Sequence, residues 1–345
     1  KFEKFYKVKN FKNLYDLKLL KEVTNIVEDP QVLLIDFDKK YLELPKEIII
    51  STLQNHQRYF PIIDKKDEIT NFFLVVTNKK DTNNLIKDGN KRVVEARLAD
   101  AKFFWDKDKS KNLIKQIAKL KDVKFYEGLG SVYDKTQRLR KLSGMLADEF
   151  NLNKEKAEIA ASISKSDLCS DLVNEYPDLQ GLLGKYFALS QGFEEDVSNA
   201  VSDHYLPLGN NSMTSKKPIS YIVAISDKID TLVGFFLINE KPTSSKDPFA
   251  LRRSAIGLLR TIIDNKLTNL FLLVSNLPDK KGYIKKGNQR VIEARLSDAN
   301  FFWEKNKNQS LVKQIGKLKN LSFFNQLGTF YDKTQRLKKL ANMIS

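Results

Sequence analysis

Two acidic residues stand where acids are costly. Asp167 lies between Ser166 and Leu168 in "SISKSDLCSDL", and Asp227 lies between Ser226 and Lys228 in "AISDKIDTLVGFF". Around them apolar residues recur three and four apart (Ile163, Leu168, Leu172; Ile222, Ile225, Ile229, Leu232), the period of helices packed on a core. A carboxylate on such a face must pair with a cation or ligate something. The expectation is therefore a polar centre enclosed by helices, and the chemistry open to it is narrow. The chain has two histidines, His56 and His204, and one cysteine, Cys169. No histidine is near Cys169 in sequence and it falls on a helical core pattern, which reads as a buried thiol. Neither G-x-x-x-x-G-K-[ST] nor G-x-G-x-x-G occurs, and Gly128 and Gly130 in "EGLGS" turn the chain without making a phosphate loop. Arg252 and Arg253 follow Asp247-Pro248 in "SSKDPFALRR", where Asp247 reads as an N-cap and Pro248 as the first helical residue. Paired arginines in a first turn are either phosphate binders or partners of buried acids.

The order of these segments is similar to that of the HD-domain phosphohydrolases. Those enzymes bind metal through a His on one helix, a His-Asp pair on a later helix and a last Asp. Here the frame is "YDKTQRLRKL", "SISKSDL" and "AISDKID". Asp167 and Asp227 keep the acids, but Lys135 and Ser166 stand at the histidine positions. A metal site of that type cannot be assembled from these residues, so none is expected. Instead the Lys135 ammonium supplies the charge a metal would have brought, and Lys135, Asp167 and Asp227 should converge in a degenerate, structural centre. The alternative is a working HD-type metal-dependent phosphohydrolase acting on nucleotides or RNA ends.

The elements that must position this centre read as α+β: a small mixed-sheet module with helices over residues 1–130, an all-helical HD-like domain over 131–265, and a partial repeat over 266–345. Strands are expected over residues 31–37, "RYFPII" and "FFLVVTN". Pro45 reads as the first residue of a helix in "LPKEIIISTLQNH", and Gly89 and Asn90 open a long helix that buries Val94, Leu98, Ala101 and Trp105. Residues 68–147 and 266–345 align without a gap at an offset of 198, and about 44 of the 80 positions are identical. The second copy lacks the helix and strand that precede the first and stops inside a helix. That pattern is what a join between two related genes gives, a natural tandem module being the alternative.

Composition sets the partners. The net charge is +16, yet residues 151–250 carry 9 Lys and Arg against 14 Asp and Glu, so the flanks are strongly basic. Such a surface fits a polyanion, with RNA or DNA leading, against a lysine-rich composition of no functional meaning. No apolar run approaches the ~20 residues of a membrane span, and a single cysteine suits a reducing, cytoplasmic compartment. The chain starts at Lys1 without a Met, as a fragment would.

Seven strings, "LPKEIIISTLQNHQRYFP", "GNKRVVEARLADAKFFW", "LGSVYDKTQRL", "KSDLCSDLVNEYPDLQGLLGKYFAL", "SDHYLP", "SDKIDTLVGFF" and "SSKDPFALRR", occur in one order. In that order the chain resembles the β-subunit family of bacterial heterotetrameric glycyl-tRNA synthetases, over roughly residues 22–267. The resemblance implies an α2β2 ligase that charges glycine tRNA. Its α subunit holds the class II site, and the holoenzyme uses ATP and magnesium. The β subunit is a tRNA-holding scaffold with no catalytic residue or cofactor of its own. After Leu267 the family continues into further helices and an anticodon-binding domain, and here the repeat takes their place. For RNA contact the candidates are Arg58, Tyr59, Arg92, Arg97 and Lys102, as phosphate contacts with aromatic support. The competing reading has Arg97 and Tyr59 serving the fold.

Overall fold

The computed structural model describes residues 12–13, 16–209, 211–243, 245–267, 279–307, 310–324 and 327–344, and "LFLLVSN" (residues 270–276), which repeats "FFLVVTN" and from which a strand is likewise expected, lies outside them. Residues Lys1–Asn269 form one compact unit and Leu270–Ser345 a second.

The sheet of the first unit runs in the order β1 (Lys12–Asn13), β3 (Phe60–Ile63), β4 (Ile69–Thr77), β2 (Gln31–Asp36). Every pairing is antiparallel, which corrects the mixed sheet expected from sequence. The reason is local: Asp64 caps the amides of Lys66 and Glu68, closing a tight turn between β3 and β4, and such a turn joins antiparallel neighbours. Strand β4 reads as the unbroken apolar run "FFLVV" because both faces are covered. Phe73 and Val75 enter the main core, while Leu74 joins Phe60 and Ile62 beneath Leu19 and Val23 of helix α1 (Leu17–Ile26).

Helix α2 (Lys46–Ser51) has Pro45 as its cap and not as its first helical residue, and it runs on into a π turn at Thr52–His56. Helix α3 (Leu85–Lys109) buries Val94, Leu98, Ala101 and Trp105 on one stripe. It starts four residues before Gly89 because the Asp81 carboxylate accepts from the amides of Ile86 and Lys87. Trp105 stacks on Phe187 with ring centroids 5.5 Å apart.

Beyond α4 (Leu113–Lys119), the hairpin β5 (Lys124–Tyr126) and β6 (Gly130–Ser131) leads into α5 (Val132–Glu149), which starts with a reciprocal Ser131/Asp134 capping box. There follow α6 (Lys154–Ile163), a 3-10 turn at Ser166–Cys169, α7 (Asp171–Glu175), α8 (Leu182–Ser190), α9 (Glu195–Asp203), α10 (Pro218–Leu237) and α11 (Leu251–Asp264). Asp247 does accept from the amides of Leu251 and Arg252, but Pro248 lies outside the helix, which begins three residues later than the Asp-Pro pair suggests. One apolar core runs without a break from Phe73 and Leu98 through Leu139 and Ala160 to Ile222.

The second unit consists of α12 (Tyr283–Lys307), α13 (Leu311–Gln314), a 3-10 turn, the hairpin β7 (Ser322–Phe324) and β8 (Gly328–Thr329), and α14 (Phe330–Ile344). Helix α12 buries none of its residues. Among the described residues, no helix is long and apolar enough to cross a membrane.

Candidate functional site: a buried ionic centre

Helical spacing builds the centre. Lys135 and Arg138 are three apart on α5, and Asp227 and Asp230 are three apart on α10, so each pair shares a face. Lys135 Nζ lies 3.1 Å from Asp227 Oδ1 and 3.1 Å from Asp230 Oδ2, and donates to Thr231 Oγ1 at 2.9 Å. Arg138 grips Asp230 with two donors on one edge of its guanidinium, Nε at 2.5 Å and Nη2 at 3.2 Å. From the turn after α6, Lys165 brings a second ammonium 3.5 Å from Asp227 Oδ1, lying 4.0 Å over the Tyr205 ring. Lys228 donates to the carbonyl of Leu206 at 2.6 Å.

Asp167 does not meet Lys135 directly. Its Oδ2 accepts from the Gly181 amide at 2.5 Å. Two glycines permit this approach: Gly181 has φ +82, and a Cβ on Gly184 would stand 3.0 Å from the Asp167 carboxyl carbon. Ser166 is buried but its hydroxyl meets none of the ionic partners above. The expected trio is thus split between a Lys135–Asp227–Asp230 cluster and an Asp167 held by backbone.

The two acids differ accordingly. Burial pushes the Asp167 carboxyl up to about 6, against the Gly181 amide and the field of Lys165. Burial also opposes ionisation of Asp227, but the ammoniums of Lys135 and Lys165 outweigh it and hold that carboxyl far below the usual range. Burial brings Lys228 down to about 8, and drives His204 well below its ordinary value with Lys165 adding repulsion. A raised carboxyl means that the folded protein holds a proton the unfolded chain has already released. Asp167 therefore takes stability away as pH rises from about 4 to about 6, by about 3 kcal/mol in total. The difference in unfolding free energy between wild type and Asp167→Asn should change across that window and be flat above it, measured by urea titration.

This donor set does not suit a divalent metal. Four cations (Lys135, Arg138, Lys165, Lys228) face three carboxylates, and the ammoniums lie against the Asp227 oxygen a metal would need. Among the described residues, no group of three or more His, Cys, Asp or Glu side chains is placed to hold a metal ion. His204 is buried, its Nδ1 2.8 Å from the Val201 carbonyl, and His56 stacks on Tyr176. Cys169 is half-buried, and burial raises its thiol.

The RNA-contact candidates do not form one patch of free cations. Arg58, in a left-handed backbone conformation, pairs with Glu22 at 2.8 Å. The Tyr59 hydroxyl donates to Asn90 and its ring stacks on Phe73. Arg97 reaches Glu175 at 3.4 Å, and Lys102 reaches Glu43 at 3.1 Å and Asp106 at 3.3 Å. Arg92 is exposed, with no partner among the described residues. Tyr59→Phe should cost about 1 kcal/mol of stability through the lost hydrogen bond, and leave RNA affinity within twofold in a filter-binding assay. Neither Arg252, which donates to the Thr243 carbonyl, nor exposed Arg253 reaches the buried acids.

Sequence reasoning missed Arg138, Lys165, Lys228 and Asp230. A signal existed for two of them: Lys135/Arg138 and Asp227/Asp230 share one spacing with opposite charge. Lys165 carried none, because its approach depends on how the chain turns after α6.

The family model described as "Glycyl-tRNA synthetase beta subunit" matches residues 1–268 and, a second time, residues 261–345. The chain is 41% identical over 259 residues to the glycine–tRNA ligase beta subunit of Janthinobacterium sp. (strain Marseille), covering 75% of this chain and 37% of that protein. Over 305 residues it is 40% identical to the Clostridioides difficile (strain 630) protein of the same name, covering 88% and 44%. The Colwellia psychrerythraea protein, also a glycine–tRNA ligase beta subunit, is 44% identical over 256 residues, covering 74% and 37%. The chain spans about two fifths of the length of these curated relatives. With a family model covering most of its residues, and ordered strings that run through the same region, the chain belongs to the glycyl-tRNA synthetase beta-subunit family.

Proposed function

We propose that this chain is the tRNA-holding part of a cytoplasmic glycine–tRNA ligase β subunit, non-catalytic itself, supporting ATP-dependent charging of glycine tRNA by an α subunit in an α2β2 assembly. Residues 131–265 act as a degenerate HD-like domain whose ionic centre fixes α5 against α10. Residues 266–345 repeat part of the first module. ATP and magnesium belong to the holoenzyme, and this chain binds neither.

The observation that carries the reading is Lys135 Nζ at 3.1 Å from both Asp227 and Asp230. An HD-type hydrolase needs an open, metal-binding carboxylate there, and this one is closed by an ammonium. The strongly basic flanks add the charge expected of an RNA holder.

The test is co-purification with the α subunit, followed by tRNA charging and by tRNA binding across a salt series. Stable association and an affinity that drops steeply between 50 and 200 mM salt, by at least about tenfold, are expected. Phosphate release from nucleotides or RNA ends on adding Mn2+ or Mg2+, abolished by Asp227→Asn, would replace this reading with the hydrolase.

A further inference from the structure

Away from the ionic centre, α4, α5 and α6 enclose a groove of about 550 Å3, within the range of small-ligand sites. Its walls are unlike one another. On the α4–α5 side stand Lys121, Tyr133, Gln137 and Arg140, with Lys121 Nζ 5.0 Å over the Tyr133 ring. On the α6 side stand Glu155, Glu158 and Ser162, above a floor that includes Ile117 and Ile159. Arg140 Nε reaches across to Glu158 Oε2 at 3.2 Å. Gly144 permits this: a Cβ there would lie 2.6 Å from Glu158 Oε1.

The internal repeat shows which side chains have been kept. Lys121, Tyr133 and Gln137 recur as Lys319, Tyr331 and Gln335, and Arg140 recurs as the cation Lys338. In the second unit Lys319 again lies over Tyr331, at 4.9 Å. Lys115 and Lys119 on α4, and Lys141 beside Arg140, also persist as Lys313, Lys317 and Lys339. By contrast the exposed hairpin positions Asp122, Lys124 and Glu127 have become Asn320, Ser322 and Asn325. Of the α3 lysines that form ion pairs, Lys91 and Lys102 have become Gln289 and Asn300, while Lys107 persists as Lys305. Ion pairing in the first unit does not account for the retention of exposed Lys121. Paired lysines divide, Lys91 and Lys102 being lost while Lys107 and Lys135 persist as Lys305 and Lys333, whereas Lys115, Lys119, Lys121 and Lys141 about the groove all stayed.

We propose that the groove takes a 5′-phosphorylated ribonucleotide unit of single-stranded RNA. Lys121 and Arg140 receive the phosphate, the Tyr133 ring supports the base, and the ribose hydroxyls donate to the α6 carboxylates. This rests on the reading of the chain as an RNA holder and adds to it a specific site. Cations, an aromatic ring and acceptors on opposite walls match the phosphate, base and sugar of one nucleotide. An apolar peptide helix would leave Lys121 and Glu155 without a charged partner, Arg140 and Glu158 already meeting each other.

The experiment measures fluorescence anisotropy of labelled glycine tRNA with the whole chain. Competitors are a short single-stranded RNA, a DNA of the same sequence, and the four free ribonucleoside monophosphates. Lys121→Glu and Tyr133→Ala should each weaken tRNA binding about tenfold, while Lys65→Glu on the distant β3–β4 turn stays within twofold. The RNA competitor should displace tRNA better than the DNA. Lys121 is exposed, so its substitution keeps the test informative should Tyr133→Ala lower stability. Wild-type affinity in both groove variants overturns the groove and leaves the RNA-holding reading standing. No tRNA binding by the wild-type chain at low salt overturns both. Monophosphates that compete as well as the RNA strand overturn the strand and assign the groove to a free nucleotide.

Discussion

Lys135→Ala should destabilise the helical part of the first unit by roughly 3–5 kcal/mol, the usual cost of stripping one partner from a buried ion pair. On a fold of this size that lowers the melting temperature on the order of 10 °C. The reason is the position of the ammonium. Lys135 is 3% exposed and bridges two carboxylates, Asp227 and Asp230, of which Asp230 keeps Arg138 after the substitution. Asp227 keeps Lys165, at 3.5 Å, and the weaker field of Lys228. Its carboxyl is then buried with too little positive charge to stay ionised at neutral pH, and must take up a proton or draw in water. Adding Asp227→Asn to Lys135→Ala should therefore recover more than half the loss, since the charge that was orphaned is gone. Thermal melts and urea titrations of the two single variants and the double variant complete the cycle. A loss below about 1 kcal/mol for Lys135→Ala, or a double variant no better than the single one, would show that the centre is hydrated and that Lys135 does not close it.

How much of this was legible before the structure depends on whether a feature is written in spacing. The stripe Val94, Leu98, Ala101, Trp105 is local and periodic, and the helix buries those residues. The pairing of Lys135 with Asp227 was legible through the resemblance to the HD frame, in which Lys135 stands at a histidine position. The start of α3 was not legible, because Asp81 caps it from outside the periodic stretch. The antiparallel sheet was misread because "FFLVV" has the unbroken apolar pattern of a strand covered on both faces, which periodicity alone does not distinguish from a parallel core strand. The distant partners of Arg58, Lys102 and Tyr59 were invisible for a different reason, although Asp106 stands one helical turn from Lys102. Glu22, Glu43 and Asn90 lie many residues away, and only the packed fold brings them close. A basic residue chosen for RNA contact from sequence is therefore a poor choice until its acidic neighbours are known.

The second large effect concerns residues 270–345. Here the repeat supplies an internal control, one sequence pattern in two settings. In the first unit Leu98 is 0% and Trp105 8% exposed, covered by the sheet and by Phe187. Their counterparts Leu296 and Trp303 are 64% and 66% exposed. The long helix is thus the same amphipathic design with its apolar stripe left in water, since nothing equivalent to residues 31–61 precedes the second copy. Several large apolar side chains exposed along one helix form a patch of the kind that drives association. A helix that buries nothing also lacks the tertiary packing that supplies most helical stability in water. Limited proteolysis should therefore cut within residues 279–344 well before it cuts α3 or α5. A chain ending at Leu267 should melt within about 2 °C of the intact one and stay in solution at severalfold higher concentration. Leu296→Lys with Trp303→Gln in the intact chain should give most of the same gain in solubility, which ties the effect to the stripe and not to chain length. Equal resistance of the second copy and of residues 68–147 to protease would show that the stripe is covered after all, by another part of the molecule or by a second chain. The exposed leucine and tryptophan would then be the place to look for that contact.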